Sequence, residues 1–183
     1  FVVDGYRVIE TLGVGGMGVV YLAEHTQLGR KVALKVLKPE YANNSDVVRR
    51  FFDEARAANR VGHENIIQIF DFVEKGDLRL FVMELLDGQP LSSLTRARKP
   101  LGIERTLRIT RQVADALHAV HAANIVHRDL KPDNIFLTRR ARDPRRTPFD
   151  LVRDAFGSRL PPDRGADGSH HFGRLRQRLR KAD

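Results

Sequence analysis

The first 86 residues alternate between short apolar runs and turn residues, a pattern typical of β-strands joined by tight connections. Pro39 ends the third run, because proline cannot donate a hydrogen bond to a strand ladder. Residues 74–77 contain Gly76 and predict the turn between the last two strands. Five runs are predicted as strands, over residues 6–12, 19–24, 31–37, 66–73 and 78–86.

Between the third and fourth strands, apolar residues recur at helical spacing and predict a helix that ends near Val61, with Ser45 as its N-cap. Its apolar face comprises Val47, Phe51, Ala55, Ala58 and Val61. After the fifth strand the pattern is helical over 91–97 and 103–122, and non-helical over 125–137. The predicted apolar face of the longer helix comprises Leu107, Thr110, Ala114, Leu117 and His121.

The composition is that of a folded, soluble protein, since 42% of the 183 residues are hydrophobic and 30% are charged. The chain contains no Cys, which excludes disulfides, thiolate catalysis and Cys-ligated zinc or iron–sulfur sites. No apolar run approaches the ~18 residues of a membrane span, and no signal-peptide pattern opens the sequence. We therefore expect a cytoplasmic protein without a membrane segment.

The net charge of +9 is concentrated at one end of the sequence. Residues 1–138 hold 19 Lys and Arg against 17 Asp and Glu, whereas residues 139–183 hold 13 against 6. This division predicts a domain followed by an Arg-rich tail, and not a basic domain that binds nucleic acid specifically.

A glycine cluster at 13–18 has the form G-x-G-x-x-G and lies between two predicted strands. Glycines let the backbone pass close to phosphate groups and offer its N–H groups to them, but a plain hairpin turn explains the cluster equally. A strand and not a helix follows, which argues against a Rossmann dinucleotide site.

Lys35 lies on a predicted strand with Ala33 on the same face, among apolar neighbours, and Val20 is expected to face them. A lysine on an inward face needs an anionic partner, because burial of an isolated charge is costly. Glu54 lies on the apolar side of the predicted helix and is the candidate partner. Two solvated side chains remain the alternative.

A third motif decides between the alternative interpretations of the glycine cluster and of Lys35 with Glu54. The segment His127-Arg128-Asp129-Leu130-Lys131-Pro132-Asp133-Asn134 resembles the catalytic loop of eukaryotic-type protein kinases, and it follows the other motifs in the order of that family. The Gly-Gly-Met-Gly form of the first motif is similar to that of bacterial serine/threonine kinases, and the resemblance covers residues 1–138.

The resemblance implies an α+β, bilobal protein-kinase-like fold that binds ATP and Mg²⁺. Asp129 would accept the proton of the substrate hydroxyl, and Lys131 would contact the γ-phosphate. Lys35, paired with Glu54, would bind the α- and β-phosphates. The nucleotide would further contact Leu12, Gly13, Gly15, Gly18, Val20, Ala33, Met83, Glu84, Leu86 and Phe136.

Magnesium would be held by Asn134 and by the aspartate of an Asp-Phe-Gly motif, which the sequence does not contain. The nearest string is Asp154-Ala155-Phe156-Gly157, so Asp154 is either a displaced metal ligand or an ordinary aspartate. The Ala-Pro-Glu motif that ends the activation segment of the family is also missing.

These observations predict a kinase N-lobe at 1–86 with a five-stranded antiparallel sheet and one helix, and a hinge with a partial helical C-lobe at 87–138. Residues 139–183 are expected to be a disordered tail or sequence read out of frame in a GC-rich gene, so that the kinase domain is truncated. Leu175 and Leu179, within a basic amphipathic stretch, leave docking on nucleic acid or an anionic membrane as the alternative.

Three functions remain open from the sequence: a serine/threonine kinase that acts on protein substrates, a nucleotide-binding pseudokinase without turnover, and an inactive fragment. The resemblance also implies a dimer through the N-lobe.

Overall fold

The computed structural model describes residues 1–97, 100–138 and 151–154, the last four by their backbone alone. The described residues fall into two compact units. Unit 1 comprises Phe1–Ala55 and Ile69–Leu85, and unit 2 comprises Arg56–Gln68 and the described residues from Leu86 onward. The tail predicted over 139–183, with its amphipathic stretch, lies outside the described residues except for the four at 151–154.

Unit 1 is built on an antiparallel sheet with the strand order β1-β2-β3-β4-β6-β5. The strands are β1 (Val2–Val3), β2 (Tyr6–Val14), β3 (Gly18–His25), β4 (Lys31–Leu37), β5 (Ile69–Lys75) and β6 (Leu78–Glu84). A strand occurs at each of the five predicted places, but two of the predicted ranges were wrong. Strand β5 begins at Ile69 instead of residue 66 and continues through Lys75 into the predicted turn, and β6 ends at Glu84 instead of residue 86. Strand β1 was not predicted, because two residues are too few to show an alternation.

Both faces of the central strands are buried. On one face, alternate residues of β3, β4 and β6 form an apolar cluster to which β1, β2 and β5 contribute, and which includes Val8, Tyr21, Leu34, Val73 and Leu80. On the other face, Phe81 of β6 packs against Phe51, with 4.9 Å between the ring centroids. Residues 32–37 of β4 are therefore buried on both faces of the sheet, which places Lys35 in the interior.

Helix α1 (Ser45–Val61) ends at the predicted residue but begins one residue earlier than predicted, because its N-cap is Asn44 and not Ser45. The Oδ1 atom of Asn44 accepts a hydrogen bond from the Val47 N–H at 3.1 Å, and the Asn44 carbonyl accepts the first helical bond, from Val48. Asn and Ser are both common N-caps, so the sequence Asn44-Ser45 did not distinguish them. Phe51, Ala55 and Ala58 of the predicted apolar face are buried.

The described residues of unit 2 contain the end of α1, the helices α2 (Leu91–Arg96) and α3 (Ile103–Ala122), and an antiparallel sheet with the order β7-β8-β9. The strands are β7 (Gly88–Pro90), β8 (Ile135–Thr138) and β9 (Leu151–Asp154). The stretch predicted to be non-helical contains no helix and runs into β8. Ile109 of α3 packs with Ile135 and Leu137 of β8 in the core of this unit.

The apolar face predicted for α3 was wrong. Its buried residues are Ile109, Ala116 and Val120, whereas Leu107 is 64% exposed. The helix carries apolar residues on two sides, and periodicity alone does not indicate which side packs against β8. Among the described residues, no helix is both long enough and apolar enough to cross a membrane.

Candidate active site

The glycine cluster forms the turn between β2 and β3. Gly13 pairs with Val20 across the two strands, and the Gly15 N–H donates a 2.8 Å hydrogen bond to the Gly18 carbonyl. A Cβ atom on Gly18 would lie 2.8 Å from the backbone oxygen of Val36, whereas a Cβ on Gly16 would meet nothing within 4 Å. The two glycines thus serve different purposes: Gly18 permits close pairing of β3 with β4, and Gly16 leaves an open, exposed backbone at the tip.

Strand register gathers four of the expected nucleotide-contacting residues on one face of the sheet. Val20 lies directly opposite Lys35, and Ala33 lies opposite Met83. Directly opposite residues share a face, and so do Ala33 and Lys35 two positions apart. The predicted position of Val20 is therefore confirmed.

Four other expected nucleotide contacts lie elsewhere in the fold. Leu12 is half-buried at an irregularity in the pairing of β2 with β3, and Glu84 is the last residue of β6. Leu86 and Phe136 belong to unit 2, where Phe136 is buried in β8.

Lys35 and Glu54 form a buried ion pair. The distance from Nζ of Lys35 to Oε1 of Glu54 is 2.6 Å, and the two side chains are 6% and 12% exposed. The Lys35 ammonium also lies 5.3 Å from the ring centroid of Phe81 and 5.8 Å from that of Phe51. The alternative of two solvated side chains is thereby excluded. An ammonium has three N–H donors, and Glu54 accepts the only hydrogen bond that Lys35 donates to a described residue.

Residues 123–129 lead from α3 into the loop at residues 127–134. Helix α3 ends with Asn124 in the left-handed conformation (φ 58°), and Ile125 N–H donates to the Val120 carbonyl, as in a Schellman cap. Arg128 has a φ of 62°, which is uncommon for a residue with a side chain and reverses the backbone. The Asp129 N–H then donates to the carbonyl of the buried His127 at 2.9 Å and approaches its Nδ1 atom at 3.3 Å.

The Asp129 carboxylate is held by two side chains of the same loop. Lys131 Nζ lies 2.5 and 2.6 Å from the two carboxylate oxygens. The Asn134 amide donates to the Asp129 carbonyl at 2.7 Å and to its Oδ2 at 3.1 Å. These contacts fix the orientation of the carboxylate. Because Asp129 is only half-buried, its oxygens remain within reach of solvent.

Asn134 has an unused acceptor in a buried position. The residue is fully buried, and its Oδ1 atom has no hydrogen-bond partner among the described residues. A buried amide oxygen without a donor suits a hard cation such as Mg²⁺, which prefers oxygen ligands. No cluster of three His, Cys, Asp or Glu side chains that could hold a metal occurs in the described part of the chain.

Asp154, the displaced ligand considered from the sequence, is the last residue of β9. Its Cα pairs in register with that of Ile135, the residue that follows Asn134. The backbone therefore brings Asp154 beside Ile135, the neighbour of Asn134, although Asp154 and Asn134 are 20 positions apart in the sequence.

Helix α2 also contacts the loop, which the sequence did not indicate. The Ser92 N–H donates to the Pro132 carbonyl at 3.1 Å, and Arg96 Nη2 lies 2.9 Å from Oδ1 of Asp133. Arg96 and Asp133 are 37 positions apart, and no motif in the sequence indicates that they form a pair.

A family model described as the protein kinase domain matches residues 6–159. The match continues beyond Arg139, where the composition changes, and it includes β9. Curated relatives include the serine/threonine-protein kinase Pkn1 of Myxococcus xanthus, 50% identical over 135 residues, and PrkC of Bacillus subtilis, 41% identical over 132 residues. The matched part is 74% and 72% of this chain but only 19% and 20% of those proteins.

Solved structures of kinase domains are also similar to this chain. The PknI kinase domain of Mycobacterium tuberculosis superimposes with a TM-score of 0.67 at 33% identity, and the match covers 86% of this chain and 61% of that one. The similarity thus extends over both units, while the chain spans about a fifth of the length of the curated relatives named.

Proposed function

The chain belongs to the protein kinase domain family, as a serine/threonine kinase of the bacterial type, and we propose that it transfers the γ-phosphoryl group of ATP to Ser or Thr hydroxyls of proteins with Asp129 as catalytic base. The observation that carries this proposal is the arrangement of Asp129, Lys131 and Asn134, in which two side chains orient one accessible carboxylate. Phosphoryl transfer requires mainly placement and charge neutralisation, and these residues supply both.

The nucleotide would bind to the residues that match the ATP-binding positions of the family. Lys35, oriented by Glu54, has N–H donors available for the α- and β-phosphates, and the turn at 13–18 offers backbone N–H groups. The backbone from Glu84 to Leu86 would hydrogen-bond adenine. The apolar contacts of the base would come from Leu12, Val20, Ala33, Met83 and Phe136.

In the reaction, the substrate oxygen forms a bond to the γ-phosphorus while the bond from that phosphorus to the ADP oxygen breaks. Asp129 accepts the proton of the attacking hydroxyl, and the Lys131 ammonium neutralises charge on the γ-phosphate oxygens. Asn134, through its unpaired Oδ1, and Asp154 are the residues that would hold Mg²⁺. When bound, the ion neutralises the phosphate charge.

The test is phosphotransfer to a Ser/Thr protein substrate by the purified chain and by Asp129→Asn, with Asp115→Asn on the exposed side of α3 as the matched control. Loss of a general base lowers kcat by about 10²- to 10⁴-fold. We expect that loss for Asp129→Asn and wild-type rates for Asp115→Asn. Equal rates in the wild type and Asp129→Asn, or no transfer by the wild type, would contradict the proposal.

A second candidate is nucleotide binding without turnover, which is favoured by the missing Asp-Phe-Gly motif. The thermal melt of the chain alone, with ATP, and with ATP and Mg²⁺ separates the candidates. A ligand at 100 times its Kd stabilises a folded protein by about 2.7 kcal/mol. A Mg²⁺-dependent shift supports the kinase, and a shift that ignores Mg²⁺ supports the pseudokinase. The absence of a cooperative transition supports an inactive fragment.

Two further predictions from the sequence accompany the proposal. Dimerisation through the predicted N-lobe is tested by the sedimentation velocity of the purified chain. The cytoplasmic location is tested by cell fractionation.

A further inference from the structure

We propose that the outer side of α3, together with the basic segment before it, docks on the surface of a bilayer that contains anionic lipids. The residues involved all belong to unit 2, and the contact does not depend on phosphoryl transfer. Two aliphatic side chains would enter the headgroup region, and the cations around them would bind lipid phosphates.

Ile103 and Leu107 form an aliphatic patch on α3. They are 82% and 64% exposed, and they lie four positions apart, on the same side of the helix. Ile109, which packs with Ile135 and Leu137, is roughly 200° from Leu107 around the helix axis at ~100° per residue. The aliphatic patch therefore faces away from the core of unit 2. A single exposed aliphatic side chain is ordinary, but two large ones side by side mark an interaction surface.

The aliphatic patch belongs to a well-anchored turn of the helix. The N–H and the hydroxyl of Thr106 both donate to the Gly102 carbonyl, at 3.1 and 3.0 Å, and these bonds fix the first turn of α3. Gly102 has a φ of 46°, a conformation that favours glycine and turns the chain just before Ile103. Ile103 is thus held at the start of the helix with its side chain open to solvent.

The sequence around the aliphatic patch is strongly basic. Residues 96–111 contain six Lys and Arg against a single Glu, which gives a net charge of +5. Asp133 and Asp115 lie 2.9 and 3.8 Å from two of these cations and reduce the excess to six against three. A surface with this excess attracts anionic headgroups. The six cations are Arg96, Arg98, Lys99, Arg105, Arg108 and Arg111.

Two of the arginines extend the aliphatic patch along the helix. Arg111 lies four positions after Leu107, on the same side, and its side chain is 85% exposed. Arg108 follows Leu107 directly and is 44% exposed. Their ion pairs with Asp115 and Glu104 lie at the surface, at 3.8 and 3.7 Å, where such pairs contribute little. Both guanidinium groups can therefore exchange these carboxylates for lipid phosphates.

This combination favours a bilayer over a protein partner. Exposed aliphatic side chains with basic residues around them are typical of helices that lie in the plane of a membrane, where the apolar groups enter the headgroup boundary. A second copy of this chain would bring the same basic surface against itself, and like charges oppose such a contact. The occupant that matches both the charge and the aliphatic patch is an anionic bilayer.

The test is sedimentation of the purified chain with sucrose-loaded vesicles, made either of phosphatidylcholine alone or of equal parts of phosphatidylcholine and phosphatidylglycerol. We expect binding to the anionic vesicles only, and weaker binding at high salt (about 0.5 M). Ile103→Ser/Leu107→Ser should lower the partition coefficient at least about 10-fold, because it removes the apolar contact. Arg108→Gln/Arg111→Gln should lower it by about 5-fold or more, since one cation near the surface contributes that factor.

The matched controls change exposed residues outside α3. Leu28→Ser removes a side chain of unit 1 that is 74% exposed, and Arg49→Gln removes an exposed arginine that pairs with Asp46 on α1 at 3.1 Å. Leu175→Ser/Leu179→Ser changes the basic stretch near the end of the sequence. All three should bind anionic vesicles as the wild type does, and thermal melts of every variant check that it is folded.

A fluorescent reporter detects the contact at the aliphatic patch itself. The chain contains no Trp, so Ile103→Trp introduces a single one there, and Leu28→Trp introduces one in unit 1. When anionic vesicles are added, the emission of Ile103→Trp should shift to shorter wavelength and be quenched by brominated lipids. The emission of Leu28→Trp should not change.

Four results would overturn the inference. The first is equal binding of the wild type to both kinds of vesicle, or to neither. The second is wild-type binding by Ile103→Ser/Leu107→Ser, and the third is a loss as large in any of the control variants. The fourth comes from sedimentation velocity without lipid: a dimer that Ile103→Ser/Leu107→Ser dissociates would identify the aliphatic patch as an interface between two copies of the chain.

Discussion

The Lys35 ammonium lies 2.6 Å from the Glu54 carboxylate, and this contact joins the middle of β4 to α1. Both side chains are nearly buried, and the ammonium lies near the aromatic rings of Phe51 on α1 and Phe81 on β6. An ion pair in such surroundings depends on both partners, because either charge alone would remain poorly solvated. The pair therefore fixes the rotation of α1 on the sheet as well as the direction of the Lys35 side chain.

The costs of removing the two members of this pair should not be additive. Breaking a buried pair costs about 3–5 kcal/mol, and the partial exposure of Glu54 places Lys35→Met at or below the lower end of that range. Lys35→Met/Glu54→Gln should be less costly than the sum of its single variants, by at least about 1 kcal/mol. Urea denaturation of the three variants measures this coupling, and strictly additive costs would contradict it.

Gly18 and Gly16 should respond oppositely to the same substitution. Gly18→Ala places a Cβ 2.8 Å from the Val36 oxygen, and we expect a loss of about 1–3 kcal/mol as β3 shifts from β4. Gly16→Ala meets open space, so the loss of unfolded-chain entropy should leave stability unchanged or slightly increased. Thermal melts of both variants test this difference, and equal melting temperatures would show that the strands can yield at Gly18.

Asn44 and Ser45 provide a test of the helix cap. Asn44→Ala removes the acceptor of the Val47 N–H and should cost about 1 kcal/mol of stability. Ser45→Ala lies within the first turn, where the Ser side chain accepts no capping bond, and should change stability by less than about 0.5 kcal/mol. Chemical denaturation distinguishes the two positions. A larger cost at Ser45 would show that Ser45, the residue predicted from the sequence, is the N-cap.

Tyr6 should make stability depend on pH in the alkaline range. Burial raises the pKa of the Tyr6 hydroxyl, the nearby carboxylates Asp71 and Asp4 raise it further, and Arg30 opposes them. The unfolded chain loses this proton near pH 10 while the folded chain retains it, so Tyr6 contributes a loss of stability as the pH rises above about 10. The free energy of unfolding, measured from pH 8 to 11, should fall less steeply in Tyr6→Phe than in the wild type. Identical slopes would contradict the prediction.

Local patterns accounted for most of unit 1. The alternation in β3 and β4 predicted both the strands and the common face of Val20, Ala33 and Lys35, because side chains in a strand alternate strictly. The same reasoning failed for α3, since apolar residues occur on two sides of that helix and only packing on β8 selected Ile109 over Leu107.

Some features of the candidate site could likewise be predicted from local sequence, and others could not. Residues 127–134 carried their own signal, because an eight-residue segment with fixed chemistry at five positions is specific. The contact of Arg96 with Asp133 and the pairing of Asp154 with Ile135 carried none, because each joins positions far apart in the chain.

By itself the sequence determined the order of the five longer strands of unit 1 and of the helices α1, α2 and α3, and both ends of α3. It also determined the residues of the loop at 127–134 and, as a hypothesis, the pairing of a lysine with a glutamate. These features depend on local backbone preference and on short-range side-chain spacing. Only the tertiary structure decided that Lys35 and Glu54 are buried together, that Asn134 retains a buried unpaired oxygen, and that α2 holds Asp133. Burial and contacts between distant residues arise when the elements pack, and packing is not a local property of the chain.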